Sequence, residues 1–406
     1  MGSLALSFAV GGCGSSDDGA AVPVVAAYQT RDSAGVAIVE SDRPAWSNDE
    51  TWRVEPTPQL VIGGNAADPD QQLWGVRHTT KLPDGSIAIA NAGANELRVY
   101  DAAGRLVRTS GGTGAGPGEF RMMVAVFHAP GDSLAVADIQ NGRISILDSD
   151  GTFSRSVPLT DGSLLTAEAR FTDGAFLTMT SAFVLSAEGP ARHDWVMRQI
   201  ARLEPDGTMS PIDSIPWLEV TVASYPLSNG GSSIGQRPRM FGHTVTVVAD
   251  SLGWLEADNS AAELRFRAPT GELQRIARWE AARREVTSED VGRYREDRVA
   301  RYDDAVLRRR WTDALGALPG PPDVMPAFGT TVLMDAGRHV WLAEYRPSYE
   351  EDADDFQVFD ATGVWLGAVT MPAGLRPWEV GDDYVLGVVR DEMQVESVVL
   401  HRLVKP

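Results

Sequence analysis

The chain has 406 residues, 43% hydrophobic and 23% charged, a balance that excludes a disordered or fibrous protein. Its 56 acidic residues outnumber 36 basic ones for a formal charge of −20, and such a field repels phosphate backbones, so nucleic acid is excluded as a partner. The single cysteine, Cys13, excludes a disulfide framework, and no apolar run reaches the ~18 residues that a membrane-spanning helix needs.

At the N-terminus, Leu4 to Val10 is a short apolar run closed by Gly11-Gly12-Cys13. The polar, small residues Gly14 to Gly19 open a flexible linker over 14–27. These residues resemble the lipobox of bacterial lipoproteins, where a signal peptide is cut before a cysteine that carries lipid. Met1-Gly2-Ser3 departs from that pattern by lacking a positive charge. The resemblance implies a signal peptide over 1–13 and lipidation at Cys13. It also implies a place in the bacterial cell envelope, at the outer membrane facing the periplasm or the cell surface. The membrane is then met only through the lipid anchor.

Tyr28 to Glu40 reads as a hairpin about Ser33-Ala34-Gly35, outside the main repeat. Trp52 to Gly64 ends in QLVIGG, an isolated strand. From Val76 to Phe120 the chain shows its repeating unit. Short runs of alternating apolar residues are separated by tight turns at Pro83-Asp84-Gly85 and Asp101-Ala102-Ala103-Gly104, the pattern of a four-stranded antiparallel meander. A second unit turns at Gly131-Asp132 and Asp148 to Gly151, and a third at Asp173-Gly174 and Glu204 to Gly207, with an insertion near Ala182 to His193. The fourth follows a Gly/Ser/Pro-rich loop, Leu227 to Pro238, and turns at Ala249 to Gly253 and Pro269-Thr270-Gly271. The fifth turns at Asp335 to Gly337 and Asp360 to Gly363.

The sixth unit starts at Leu375 and stops after three strands, while Gln59 to Gly64 has the spacing of a final strand without its first three. Gly63, Gly64 and Pro69 precede Gly111, Gly112 and Pro117 by one common offset. Lending the spare strand to the incomplete unit removes two unpaired edges. The expectation is therefore an all-β fold over 28–406, a six-bladed β-propeller closed by an N-terminal strand. A helical insertion over about 278–316 should stand between blades 4 and 5. Thr287 to Asp290 reads as a capping box there, and Tyr294, Arg298, Tyr302 and Val306 recur as one helix face.

The unit end Gly114-Ala115-Gly116-Pro117-Gly118-Glu119-Phe120, with its D-x-x-G turns, resembles the NHL-repeat and TolB-like six-bladed propellers of bacterial envelopes. That repeat implies architecture, while function must come from a site.

Gly231-Ser232-Ser233-Ile234-Gly235 matches GxSxG but lies in the loop between blades, without the strand-to-helix elbow, so no catalytic residue is assigned. The glycines of 111–118 fit neither a Rossmann fingerprint nor a P-loop, and the six histidines are too scattered for zinc. Asn91, Asp138 and Asp258 each end the second strand of their blade. Such oxygens could hold Ca²⁺, as the resemblance to gluconolactonase- and regucalcin-type propellers implies, or they could satisfy turn amides. Lys81, His128 and Arg170 recur near the opposite rim and could receive an acidic group. The expected role is binding of a protein, a peptide or a small ligand at the channel mouth, with no cofactor. The alternative is a metal-dependent hydrolase or lactonase with a cation in the channel.

Overall fold

A computed structural model describes residues 27–47, 49–65, 67–159, 165–182, 190–350 and 355–406. The expected signal peptide, Cys13 and nearly all of the linker lie outside these residues, as does most of the expected insertion at 182–193. Among the described residues no helix is long and apolar enough to cross a membrane.

The strands gather into six sheets. The first holds Val76–Lys81, Ile87–Asn91, Glu96–Tyr100 and Leu106–Gly111 as a sequential antiparallel meander. Its outer turn shows why D-x-x-G recurs. The Asp101 carboxylate accepts the Ala103 and Arg105 amides, and Gly104 takes a φ of 77° that a side chain resists. Asp360 and Gly363 repeat this in the fifth sheet. The unit end 114–120 is also held by side chains, one of its own and two from the second sheet. Glu119 accepts the Gly116 amide while Arg143 and Asn141 bind the loop's carbonyls.

The second sheet is Met123–Ala129, Ser133–Asp138, Arg143–Leu147 and Phe153–Pro158. The third starts with Leu165–Arg170 and Phe176–Ala182, then lengthens into Arg192–Leu203 and Met209–Pro226. The fourth is Val245–Asp250, Gly253–Asp258, Glu263–Arg267 and Leu273–Trp279; the fifth is Val332–Met334, Val340–Ala343, Asp355–Phe359 and Trp365–Thr370. The sixth has Arg376–Val380, Tyr384–Arg390 and Glu396–Val404 from the C-terminus.

The first strands of these sheets touch one another in a closed cycle, each sheet meeting the next and the sixth meeting the first. The apolar core is divided accordingly. Every seam between neighbouring sheets is filled by its own buried cluster. The alternating residues of strands buried on both faces supply these clusters from two sides.

Leu60–Gly63 completes the sixth sheet, pairing antiparallel with the last strand from Leu60↔Leu400 to Gly63↔Ser397. Arg53–Val54 pairs farther along the same strand. Ile62 is fully buried in the seam between the sixth and first sheets, among Leu73, Ile89, Tyr100, Leu386 and Val398. Gln71 fixes the corner, accepting the Gly63 amide and donating to the Gly104 carbonyl.

Three elements lie outside the four-stranded plan. The hairpin Tyr28–Ser33 and Val36–Ser41 joins the outside of the fourth sheet, its second strand parallel to Leu273–Trp279. Residues expected as loop include a real strand, Ser232–Pro238, paired along Val220 to Pro226. Its glycines and serines gave no apolar alternation because it is an exposed edge and its partner supplies the pairing. Between the fourth and fifth sheets stand two helices, α1 (Ser288–Ala300) and α2 (Ala305–Gly316). The Thr287/Asp290 capping box forms, and Asp304 caps α2. The helical segment is shorter than 278–316, since Arg278 and Trp279 belong to a strand. The single face expected from Tyr294 to Val306 is broken, because α1 ends first and Val306 on α2 is 69% exposed.

Truncating Ile62→Ala should cost about 2–4 kcal/mol in urea unfolding through the cavity left in the closing seam. Val61→Ala on the exposed side of the same strand should stay within about 0.5 kcal/mol.

Candidate functional site

In each meander the first strand begins, the second ends and the fourth ends on one face of the ring. On that face Asn91, Asp138 and Asp258 were expected to form a rung. Asn91 is buried and its Oδ1 accepts the Trp74 amide at 2.7 Å. The fully buried Asp138 carboxylate accepts the Arg121 and Met122 amides at 2.9 and 3.0 Å, and both the amide and the side chain of Asn141. In the fourth sheet that duty falls to Asn259, whose Oδ1 accepts the Thr244 amide at 2.7 Å. Asp258 instead accepts from Ser260 within its own turn.

The rung by function is thus Asn91, Asp138 and Asn259, and its work is to fasten the end of one strand to the start of its neighbour. Alignment by strand ends missed Asn259, because the matching feature is the amide it serves. Oxygens facing several N–H dipoles are poorly placed for a cation, whose charge those dipoles oppose. Among the described residues no group of three or more His, Cys, Asp or Glu is placed to hold a metal ion.

On the opposite rim, Lys81 and His128 each reach across a seam, while Arg170 stays beside the turn of its own sheet. The Lys81 ammonium lies 4.1 Å from the Tyr384 ring centre, and the Tyr384 hydroxyl bonds Glu379. His128 Nε2 is 3.3 Å from the Lys81 carbonyl, stitching the first two sheets. Arg170 neighbours Arg155 and Asp173, and burial lowers its pKa.

The centre is held by His78, whose ring lies 5.6 Å from Trp378 and 6.4 Å from Phe127, all three on first strands. Its Nδ1 is buried without a partner, and burial pushes the imidazole down to about 4. On the third sheet, burial raises Glu168, which accepts the Thr166 hydroxyl and feels the Arg198 charge.

The largest departure from the repeat builds a cleft on the face of the Asn91 rung. Met209–Pro226 and Ser232–Pro238 extend past the ring on that face, and α1 and α2 lean against them. Trp311 of α2 is sandwiched between Tyr225, 5.7 Å away, and Tyr302, 5.3 Å away, with interplanar angles of 26° and 10°. Arg310 ties α2 to the hairpin carbonyls of Leu227 and Gly231. Together these contacts leave a narrow cavity of about 50 Å³ beside the rings.

The Arg237 guanidinium lies 5.0 Å from the Tyr225 ring centre and 4.9 Å from that of Trp311. Arg298 lines the cleft and spends its Nε on the Tyr294 hydroxyl. Burial pushes the Tyr225 phenol up to about 12, against the pull of both arginines. Sequence reading missed Arg237 because it sat in the Gly/Ser/Pro-rich loop expected over Leu227 to Pro238.

No protein-family model matches the sequence, and no curated protein does either. Solved structures share the overall arrangement. A DUF4221-family protein of Bacteroides vulgatus is similar at 10% identity, over 88% of this chain and 99% of that one, with a TM-score of 0.50. Virginiamycin B lyase of Staphylococcus aureus is similar at 11% identity over 87% and 94%, with a TM-score of 0.41. Regucalcin, a calcium-binding protein of Agrobacterium tumefaciens, is similar at 12% identity over 82% and 92%, with a TM-score of 0.39. The fold is accordingly propeller-like and mostly β. Identities this low speak to fold, and function is argued from the residues above.

Asp138→Ala should cost about 1.5–3 kcal/mol by orphaning three backbone amides, those of Arg121, Met122 and Asn141, with bound calcium in equilibrium dialysis unchanged from the parent protein. A loss of bound calcium would instead put Asp138 in an ion's shell. His78 should make the protein less stable as pH falls from 6.5 toward 4, because the unfolded imidazole takes up a proton that the folded one refuses. His78→Gln should flatten that part of the stability–pH curve measured by urea unfolding.

Proposed function

We propose that the chain is a six-bladed β-propeller of the NHL/TolB-like kind, its last blade completed by Leu60–Gly63. On this reading it works outside the cytoplasm, tethered by lipid at Cys13, as a ligand-binding module. Its recognition surface is the face carrying α1 and α2. One observation carries this reading. The lengthened strands of the third sheet, the added strand Ser232–Pro238 and both helices all stand on a single face, while the other keeps short turns. A rigid ring with one elaborated face is how scaffolds present recognition loops.

The metal-dependent hydrolase has less behind it, since the oxygens of Asn91 and Asp138 face amide donors. The rim residues Lys81 and His128 are better accounted for as seam contacts than as a shared anion site, and Arg170 stands apart from them beside Arg155 and Asp173.

The test replaces 288–316 with a short Gly/Ser linker and screens both proteins by thermal shift against peptides and metabolites. The ring should still unfold cooperatively, and ligand-dependent shifts of the parent should vanish in the variant. Shifts that persist without the helices would remove this face from the binding role.

A further inference from the structure

A second, wider cleft opens on the same face, where the chain leaves the fourth sheet for the helices and returns from them to the fifth. We propose that it binds an amphipathic primary amine in its ammonium form, donating an N–H to His243 Nε2 and setting its charge against Glu280 and Asp323. This rests on the reading of that face as the binding surface and adds the class of ligand.

The first ground is room. The two connecting segments pair with each other, the Met325 amide on the Arg284 carbonyl at 2.8 Å and the Val286 amide on the Asp323 carbonyl at 2.9 Å. Asp290 of α1 holds Arg284 at 3.0 Å, so this pairing is braced by the helices. Between these segments, the turn from Ser260 to Ala262 and Trp365 lies a cleft of about 950 Å³, within the size range of ligand pockets. Ala262, Met325 and Trp365 line it and offer an apolar wall to a hydrocarbon body.

The second ground is a histidine with one nitrogen engaged. The Glu219 carboxylate accepts the His243 amide at 3.1 Å and lies 3.2 Å from His243 Nδ1. Burial opposes ionisation of Glu219, but the Arg239 guanidinium and the His243 amide hold its carboxyl below the ordinary range. An ionised carboxylate has no proton to give, so the proton of this contact sits on Nδ1. In the neutral ring that tautomer makes Nε2 an acceptor. Nε2 has no hydrogen-bond partner among the described residues, and His243 lines the cleft. A ligand with an N–H to donate completes it.

The third ground is charge. His243, Glu280, Arg283 and Asp323 are the ionisable side chains on the cleft's lining. Among the described residues Glu280, Arg283 and Asp323 make no ion pair. Two carboxylates therefore stand against one guanidinium, in a protein whose net charge is −20. That field draws a cation from solution.

The test is isothermal titration of the full chain with 4-phenylbutylammonium. Its trimethylammonium analogue keeps the charge without an N–H, and 5-phenylpentanoate reverses the charge. The expected result is saturable binding of the primary ammonium, at least tenfold tighter than either control. His243→Phe removes the acceptor and should weaken binding tenfold or more. Glu280 and Asp323 are exposed, so Glu280→Gln and Asp323→Asn should fold, which unchanged urea unfolding checks. Each should weaken binding threefold or more, while Arg283→Gln should tighten it.

The inference is overturned if either control binds as well as the primary ammonium, or if Glu280→Gln and Asp323→Asn bind it unchanged. It is overturned equally if 4-phenylbutylammonium shows no saturable binding at millimolar concentration. In those cases thermal shifts that still depend on 288–316 leave the binding face standing and remove only the ligand class. Binding of the amine that survives replacement of 288–316 removes both.

Discussion

The fold depends on one pairing across almost the whole length of the chain. Leu60–Gly63 lies against Glu396–Val404, and Ile62 passes through that sheet into the seam with the first one. Without this strand the sixth sheet has a bare edge and the sixth seam lacks an apolar residue on one side. Five seams can form from neighbours in sequence, but the last needs the two ends of the chain to meet. A ring whose every sheet is braced on both sides tolerates additions on one face without losing its core, and that tolerance permits the lengthened third sheet and the helices.

Much of this was legible in the sequence for identifiable reasons. Asp101 and Gly104 announced a turn because the carboxylate and the left-handed backbone are local requirements. Gln59 to Gly64 announced its destination because a final strand without predecessors and a final sheet without a fourth strand are complementary defects. Thr287 and Asp290 announced a helix start because capping is read over four residues.

What stayed hidden is what neighbours decide. Ser232–Pro238 is a strand only because Val220–Pro226 offers it hydrogen bonds. Asn259 takes the place expected of Asp258 because the amide of Thr244 lies opposite it. Arg237 joins an aromatic cluster only because Trp311, far along the chain, is brought within 4.9 Å of it. The buried Asx residues show how ambiguous oxygen can be in sequence. The same side chain serves as an ion ligand or as a fastener for backbone amides, and only its surroundings separate the two.

The N-terminal segment also runs as a belt. Its hairpin lies on the fourth sheet, the Ala45 and Trp46 amides donate to Trp365 and Leu366 of the fifth, and Leu60–Gly63 finishes the sixth. A tether attached ahead of Tyr28 would therefore pull first on the hairpin, at the outer edge of the fourth sheet. Mechanical load would have to peel that hairpin and then the Ala45–Trp46 crossing before reaching the ring's clasp. Under such a tether the belt would act as a strain relief, as on a cable, with sacrificial contacts outermost and the joint that keeps the ring shut farthest from the force.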